Sequence, residues 1–221
     1  MNDIFHKSIL LGAGGHAKVL LDTLLCMSTD VAGLTDINYS QLGYDQVLGV
    51  PVLGDDSVVL AMDSDSVLLI NGIGGIHANE TRRLVFERFK TECYRFKSVI
   101  HPSAAIGREC TLGEGVQILA GAIIQPGCTI GDDTIVSTRA SVDHDCTLGR
   151  HVHLSPGTTL SGEVFVDDCA HIGTGASVIQ QVKIGSGSTV AAGATVISDV
   201  PDGATVAGVP ARVIRRREKL Q

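Results

Sequence analysis

Two groups of residues in this 221-residue chain have types and spacings that can do chemistry. The first is Ser141-Val-Asp-His-Asp-Cys146, which sets His144 between two carboxylates. Imidazole titrates near neutrality, so a histidine in such surroundings is suited to take a proton from an attacking group. Neighbours on an extended strand point to opposite faces, so Asp145 can orient the ring only at a corner or through bent backbone; Asp143 is the alternative partner. Gly162 follows His144 by three hexapeptides, and His171 follows His153 by the same interval. The second group is the turn Gly12-Ala-Gly-Gly-His16, which follows the apolar run Ser8-Ile-Leu-Leu and satisfies G-x-G-x-x-A through Ala17. Asp36 lies about 20 residues further on, the spacing of a ribose-binding acid.

The elements that must position His144 are legible from a period of six. From Ile106 to Val196 an aliphatic residue recurs at every sixth position, sixteen times without a slip, and a small or β-branched residue follows each one by four. Neither a plain strand nor a helix has that period. It specifies a hexapeptide solenoid in which three short flat sides, one hexapeptide each, close a coil, with the aliphatic side chains pointing inward. Stacked at the ~4.8 Å strand spacing, the run makes a column on the order of 25 Å tall. A coil of three hexapeptides sets Gly162 directly beside His144, one coil on, so that a backbone N–H without side-chain bulk lies near the base. It also makes His153 and His171 a second column, each expected as a surface side chain on its own residue type. Cys110, Cys128 and Cys146 form a third column and are expected to be packing groups. No C-x-x-C occurs, which argues against zinc or redox work.

Residues 1–98 read differently. Ser8 to Gly12 and Val31 to Thr35 are short strands, separated by a helical stretch to about Met27, and Ser66-Val-Leu-Leu-Ile-Asn71 is a buried strand. It runs into Gly72-Ile-Gly-Gly75 and a helix near Asn79 to Lys90. Strand, helix, strand, helix, strand implies a small parallel Rossmann-like βαβαβ sheet. The fold expected is therefore an α/β N-terminal domain (1–98), an all-β left-handed parallel β-helix (99–202) and a C-terminal tail (203–221). A region this short cannot hold both halves of a dinucleotide fold, and a single half suits one nucleotide. A dinucleotide cofactor and a tight turn without a ligand are the competing readings.

With a net charge of −7 and pI near 5.5, the chain lacks the basic face that a nucleic-acid partner requires. The basic cluster Arg212, Arg215, Arg216, Arg217 and Lys219 is either a solvated tail or a seat for an anionic ligand. No apolar run is long enough to cross a bilayer and no signal-peptide pattern is present, so a soluble cytoplasmic protein without a membrane partner is expected. Aromatic residues make up only 4% of the chain, as a narrow prism requires.

The hexapeptide run, the terminal Ala207-Gly-Val-Pro-Ala-Arg212 and Ser141-Val-Asp-His-Asp-Cys146 resemble the left-handed β-helix acyltransferases. With the Gly12-Ala-Gly-Gly-His16 start, nearly the whole chain is similar to the nucleotide-amino-sugar N-acetyltransferases and sialic acid O-acetyltransferase-like proteins. That resemblance implies His144 as catalytic base with Asp145, and His153 by the thioester of acetyl-CoA. It implies a Gly162 N–H facing the thioester carbonyl, and pantetheine contacts from Thr174, Ala192 and Gly193. It also implies a nucleotide-sugar site from Gly12, Gly14, Gly15, His16, Asp36 and Gly74. Acetyl-CoA as co-substrate, no metal and a homotrimer complete the expectation, with the product entering surface glycan synthesis. Some members have an asparagine where Ser137 stands. O-acetylation of a sugar hydroxyl and a non-catalytic trimeric scaffold or sugar-nucleotide sensor are the alternatives. A zinc carbonic anhydrase of the hexapeptide type is disfavoured, because its two histidines are five apart whereas this chain offers His151-x-His153.

Overall fold

The computed structural model describes residues 7–43, 45–75 and 79–216. The chain divides into two compact units, Met1–Pro102 and Ser103–Gln221.

In the first unit β1 (Lys7–Leu11) leads into α1 (Gly15–Cys26), followed by β2 (Val31–Thr35), α2 (Ile37–Gln41), β3 (Gln46–Val47) and β4 (Val50–Gly54). Next come α3 (Ser57–Leu60), β5 (Val67–Asn71), α4 (Asn79–Thr91) and β6 (Arg95–Phe96). The sheet order is β3-β4-β2-β1-β5-β6, parallel throughout except for the β3–β4 pair. β1 and β5 are central and apolar along most of their length, as a parallel strand covered on both faces must be. α1 buries Ala17, Leu20, Leu21 and Leu24, an i, i+3, i+4, i+7 stripe. Phe86 and Phe89 of α4 fill the core beside Phe96 and Tyr94, with the Phe89 and Tyr94 rings edge-on at 5.4 Å. The three expected strands are present as β1, β2 and β5, and the short strand that the sequence also suggests between Thr91 and Ile100 is β6; the β3–β4 hairpin on the opposite edge is additional. Its turn is Leu48-Gly49, both with positive φ (46° and 81°). That is the geometry of a two-residue primed turn, but leucine is not the residue that announces one.

The second unit is the solenoid, a left-handed parallel β-helix of two-residue strands. Strands one coil apart pair in parallel and in register, for example Ile123 with Ser141 and Ile124 with Val142. Three faces result. The first carries 105–106, 123–124, 141–142, 159–160, 177–178 and 195–196, and the second 111–112 through 183–184. The third carries 117–118, 135–136, 153–154, 171–172 and 189–190. The sixfold aliphatic residues are fully buried from Ile118 to Val196; only Ile106 and Leu112, in the first coil, are partly open. Between faces the chain turns through a left-handed residue. Eight of these are not glycine, among them Asp133, Asp145, His151 and Glu163, with φ of 54° to 59°. Each such conformation costs on the order of 1–2 kcal/mol, and the stacked register holds it in place.

Cys128 and Cys146 are buried as expected, and each thiol also reaches a carbonyl of the next coil, Asp143 at 3.1 Å and Ser161 at 3.2 Å. Cys110, in the open first coil, is only half buried. Burial pushes the Cys146 thiol up to about 12, and that of Cys128 also rises through burial. Only a thiolate reacts with alkylating agents. At neutral pH iodoacetamide is therefore expected to modify the exposed Cys26 and Cys93 and to spare Cys128 and Cys146 until the chain unfolds. Peptide mass mapping checks this, and alkylation of Cys146 in the folded protein would contradict the packing.

Residues 204–216 do not form a solvated tail. Ala204–Ala207 joins the third face beside 189–190, and Arg212–Arg216 pairs with it antiparallel. Arg212 and Arg215 are exposed on that hairpin, while Arg217 and Lys219 lie outside the described residues. No described helix is long and apolar enough to cross a membrane.

Candidate active site

His144 occupies the corner between the first and second faces. Asp145 follows it in the left-handed conformation (φ 59°), which turns its carboxylate back toward the imidazole. Asp145 Oδ2 lies 2.8 Å from His144 Nδ1, whereas Asp143 Oδ1 accepts the His144 backbone N–H at 2.8 Å. Asp145 is thus the partner of the ring and Asp143 braces the backbone. With Nδ1–H donated to Asp145, Nε2 is left as the proton acceptor. The Asp145 hydrogen bond raises the His144 pKa above its ordinary 6.5; partial desolvation opposes this, and the charges of Asp143, Asp145 and Glu163 add to it. Both side chains are more than half exposed (54% and 63%), so the pair is open to a substrate.

Gly162 lies beneath the ring, as a coil of three hexapeptides requires. A Cβ on Gly162 would stand 2.6 Å from His144 Nε2 and 2.7 Å from Cε1. The imidazole therefore rests on a bare α-carbon, and the corner is tied by the Glu163 N–H donating to the His144 carbonyl at 2.9 Å. Thr174, Ala192 and Gly193 are exposed at the corner between the third and first faces, where the Gly193 N–H donates to the Thr174 carbonyl at 2.9 Å. The first face thus has the His144 corner on one border and the Thr174–Gly193 corner on the other. Its outer surface carries the exposed Ile123, Thr159, Ser177 and Ile179.

Standing in one short stretch of sequence, the histidines and acids of residues 143–156 suggest a single crowded outer face, but the coil distributes them over different sides. Positions separated by one and a half hexapeptides stand half a turn away from each other around the coil. His153 is accordingly on the third face, only 7% exposed, with Nε2 3.1 Å from Ser137 Oγ. Ser137 therefore supports His153 and not His144. His171, expected at the surface, is half buried and packs edge-on against His153 at 5.0 Å, with Nε2 3.4 Å from Ser155 Oγ. His151 is buried at the next corner with Nδ1 3.1 Å from Asp133 Oδ2. The residue reading missed this pair, although its separation of one full coil could have found it. Among the described residues no group of three or more His, Cys, Asp or Glu could hold a metal ion.

In the first unit Gly12 takes φ 96° and its N–H donates to the Thr35 carbonyl at 2.7 Å, closing the turn. Gly14 and Gly15 are exposed at the start of α1, with nothing beyond their own chain neighbours and helix backbone within 4 Å of where a Cβ would stand. Gly14 is the N-cap and offers no side-chain cap. An uncapped helix start with open backbone is an anion seat. Gly74 faces His16, a Cβ there reaching 3.3 Å from the His16 Cβ. Asp36 is already engaged: Oδ2 accepts the Ala13 N–H at 2.9 Å and Oδ1 the Asn38 and Tyr39 N–H groups at 2.9 and 3.2 Å. It fastens the glycine turn to α2, whatever else it contacts.

Residues 7–89 match the family model described as the PglD N-terminal domain, and residues 109–142 match the bacterial transferase hexapeptide (six repeats). A search of the curated proteins found no match. Among solved structures, the acetyltransferase domain of PglB from Neisseria gonorrhoeae is 34% identical, covering 95% of this chain and 100% of that one with a TM-score of 0.88. PerB from Caulobacter crescentus, in complex with CoA and GDP-perosamine, is 38% identical over 94% of this chain and 96% of its own, with a TM-score of 0.86. WeeI from Acinetobacter baumannii is 25% identical over 95% and 100%, with a TM-score of 0.85. The corner histidine on its glycine, the glycine turn at the head of α1 and these likenesses converge: the chain belongs to the hexapeptide-repeat acetyltransferases of nucleotide-linked amino sugars and is an acyltransferase.

Proposed function

We propose that the protein transfers the acetyl group of acetyl-CoA to the amino group of a nucleotide-linked 4-amino-4,6-dideoxy sugar, in a ternary complex in the cytoplasm, for surface glycan synthesis. The observation that carries this reading is the His144–Asp145 pair, open to solvent and seated on Gly162. The amine attacks the thioester carbonyl carbon while His144 Nε2 takes its proton. The oxyanion that develops is met by the Gly162 N–H, and collapse expels the CoA thiolate, which regains a proton. Thr174, Ala192 and Gly193 contact the pantetheine arm. Gly12, Gly14, Gly15, His16, Asp36 and Gly74 form the nucleotide end, with the diphosphate over the start of α1. GDP-perosamine and CoA, bound by PerB, are the models for the two ligands.

His144 and His153 of one chain lie half a coil apart and cannot both face one thioester. A homotrimer resolves this, with the base from one copy and His153, braced by Ser137 and His171, from its neighbour. The test is thiol release from acetyl-CoA with a panel of nucleotide-linked 4-amino sugars and, as controls, free sialic acid and amino acids. Release with at least one nucleotide-linked amino sugar is expected. Release with free sialic acid alone would overturn the substrate assignment.

A further inference from the structure

Arg82, in the first turn of α4, is 2% exposed and among the largest fully buried side chains of the chain. A buried guanidinium is unfavourable unless its donors are met, and a methionine of similar volume would fill the space without that penalty. What the charge contributes is read from its partners. Arg82 Nη1 donates to the carbonyls of Asn71 at 2.9 Å and Ile73 at 2.7 Å. The hold is reciprocal: Asn71, itself 1% exposed, donates from Nδ2 to the Arg82 carbonyl at 3.0 Å. Its Oδ1 accepts the Ile73 N–H at 3.3 Å. The stretch leaving β5 is therefore fastened to α4 through two backbone carbonyls and the Asn71 side-chain amide, whose oxygen in turn holds the Ile73 N–H.

That stretch is the second glycine turn, and it has little freedom on its other side. The Gly72 N–H donates to the Leu11 carbonyl at 2.8 Å. A Cβ on Gly72 would come within 2.7 Å of the Leu11 carbonyl oxygen and 2.9 Å of the Ala17 Cβ. Gly74 abuts His16. The position of residues 72–74 thus sets where His16 stands and how open the space above Gly14 and Gly15 remains.

We infer that Arg82 and Asn71 are positioning residues for the nucleotide end of the substrate, acting by clasping the second glycine turn against the first. The inference rests on the function proposed above. Neither residue contacts the ligand; each acts through His16 and the glycine turn. Because the clasp lies wholly within the α/β unit, its loss acts on one substrate and not on the other.

The experiment measures KM for the nucleotide-linked amino sugar and for acetyl-CoA in Arg82→Met, Arg82→Lys and Asn71→Ala. Arg82→Met and Asn71→Ala are expected to raise the sugar KM about tenfold or more and to leave the acetyl-CoA KM within about twofold. Arg82→Lys, which keeps a cationic donor, is expected to recover part of the loss. Equal changes in both KM values, or none in either, would overturn the clasp. Wild-type protein inactive on every nucleotide-linked amino sugar would count against the function proposed above and not the clasp. Hydrogen exchange on the ligand-free chain then decides the latter. Arg82→Met is expected to lose protection at Gly72 and Gly12 while the solenoid amides keep theirs, and unchanged exchange at both glycines overturns it. If Arg82→Met does not fold, Arg82→Lys and Asn71→Ala carry both readings.

Discussion

His144→Ala lowers kcat by roughly 10²–10⁴-fold, the span a general base contributes, while both substrates still bind. The side chain is more than half exposed at a corner and packs into no core, so its removal leaves no cavity and the fold is unaffected. The coil ladder here runs through backbone: the Asp145 N–H donates to the Pro126 carbonyl and the Glu163 N–H to the His144 carbonyl. Neither bond involves the imidazole. Steady-state kinetics on nucleotide-linked amino sugars, with binding of each ligand measured by calorimetry, checks the split. A variant that retains wild-type kcat would remove His144 from the reaction. A variant that fails to bind acetyl-CoA would make the residue a binding group.

Gly162→Ala produces the second large effect and does so without touching the base chemically. The added methyl would stand 2.6 Å from His144 Nε2, far inside contact distance. Something must move, and the exposed imidazole moves at lower cost than the stacked backbone. The ring is then driven off both its glycine seat and Asp145. Misplacement of a reacting group by about 1 Å costs on the order of 10²-fold in rate. The thermal midpoint should hardly change, because the displaced ring is largely in water already. Losing the Asp145 hydrogen bond also returns the His144 pKa toward its ordinary value. Wild-type kcat in Gly162→Ala would mean that the ring does not rest where the reaction needs it.

Much of the solenoid was legible because its period is a physical repeat: strands three hexapeptides apart pair in register, and the same interval brings Gly162 under His144. The corners were not legible. A hydrophobic period locates inward-pointing residues but says nothing of left-handed backbone, so the choice between Asp143 and Asp145 waited on the φ of Asp145. The proximity of His144 and His153 in sequence misled for a related reason. One and a half hexapeptides read as close on a strand and are half a circumference on a coil. In the α/β unit the glycine turns stand out by composition. The clasp behind them does not, because Arg82 on an amphipathic helix reads as a solvated charge. Asp36 was singled out by its spacing as a ligand group, yet its carboxylate already accepts three backbone N–H groups.

In the proposed reaction neutral His144, held and made more basic by Asp145, takes the proton. The sign follows from the shift. The folded pKa lies above 6.5, so the base form is scarce below that pH and accumulates as pH rises through the raised value. Asp145→Asn removes the largest cause of the increase, and the profile should slide to lower pH. The most direct measurement is kcat/KM against pH for wild type and Asp145→Asn, beside an NMR titration of His144 in each. A single ionisation is expected on the acid limb, with a midpoint above 6.5 that matches the titrated histidine and falls in Asp145→Asn. An acid limb that stays fixed while the His144 titration moves would contradict it.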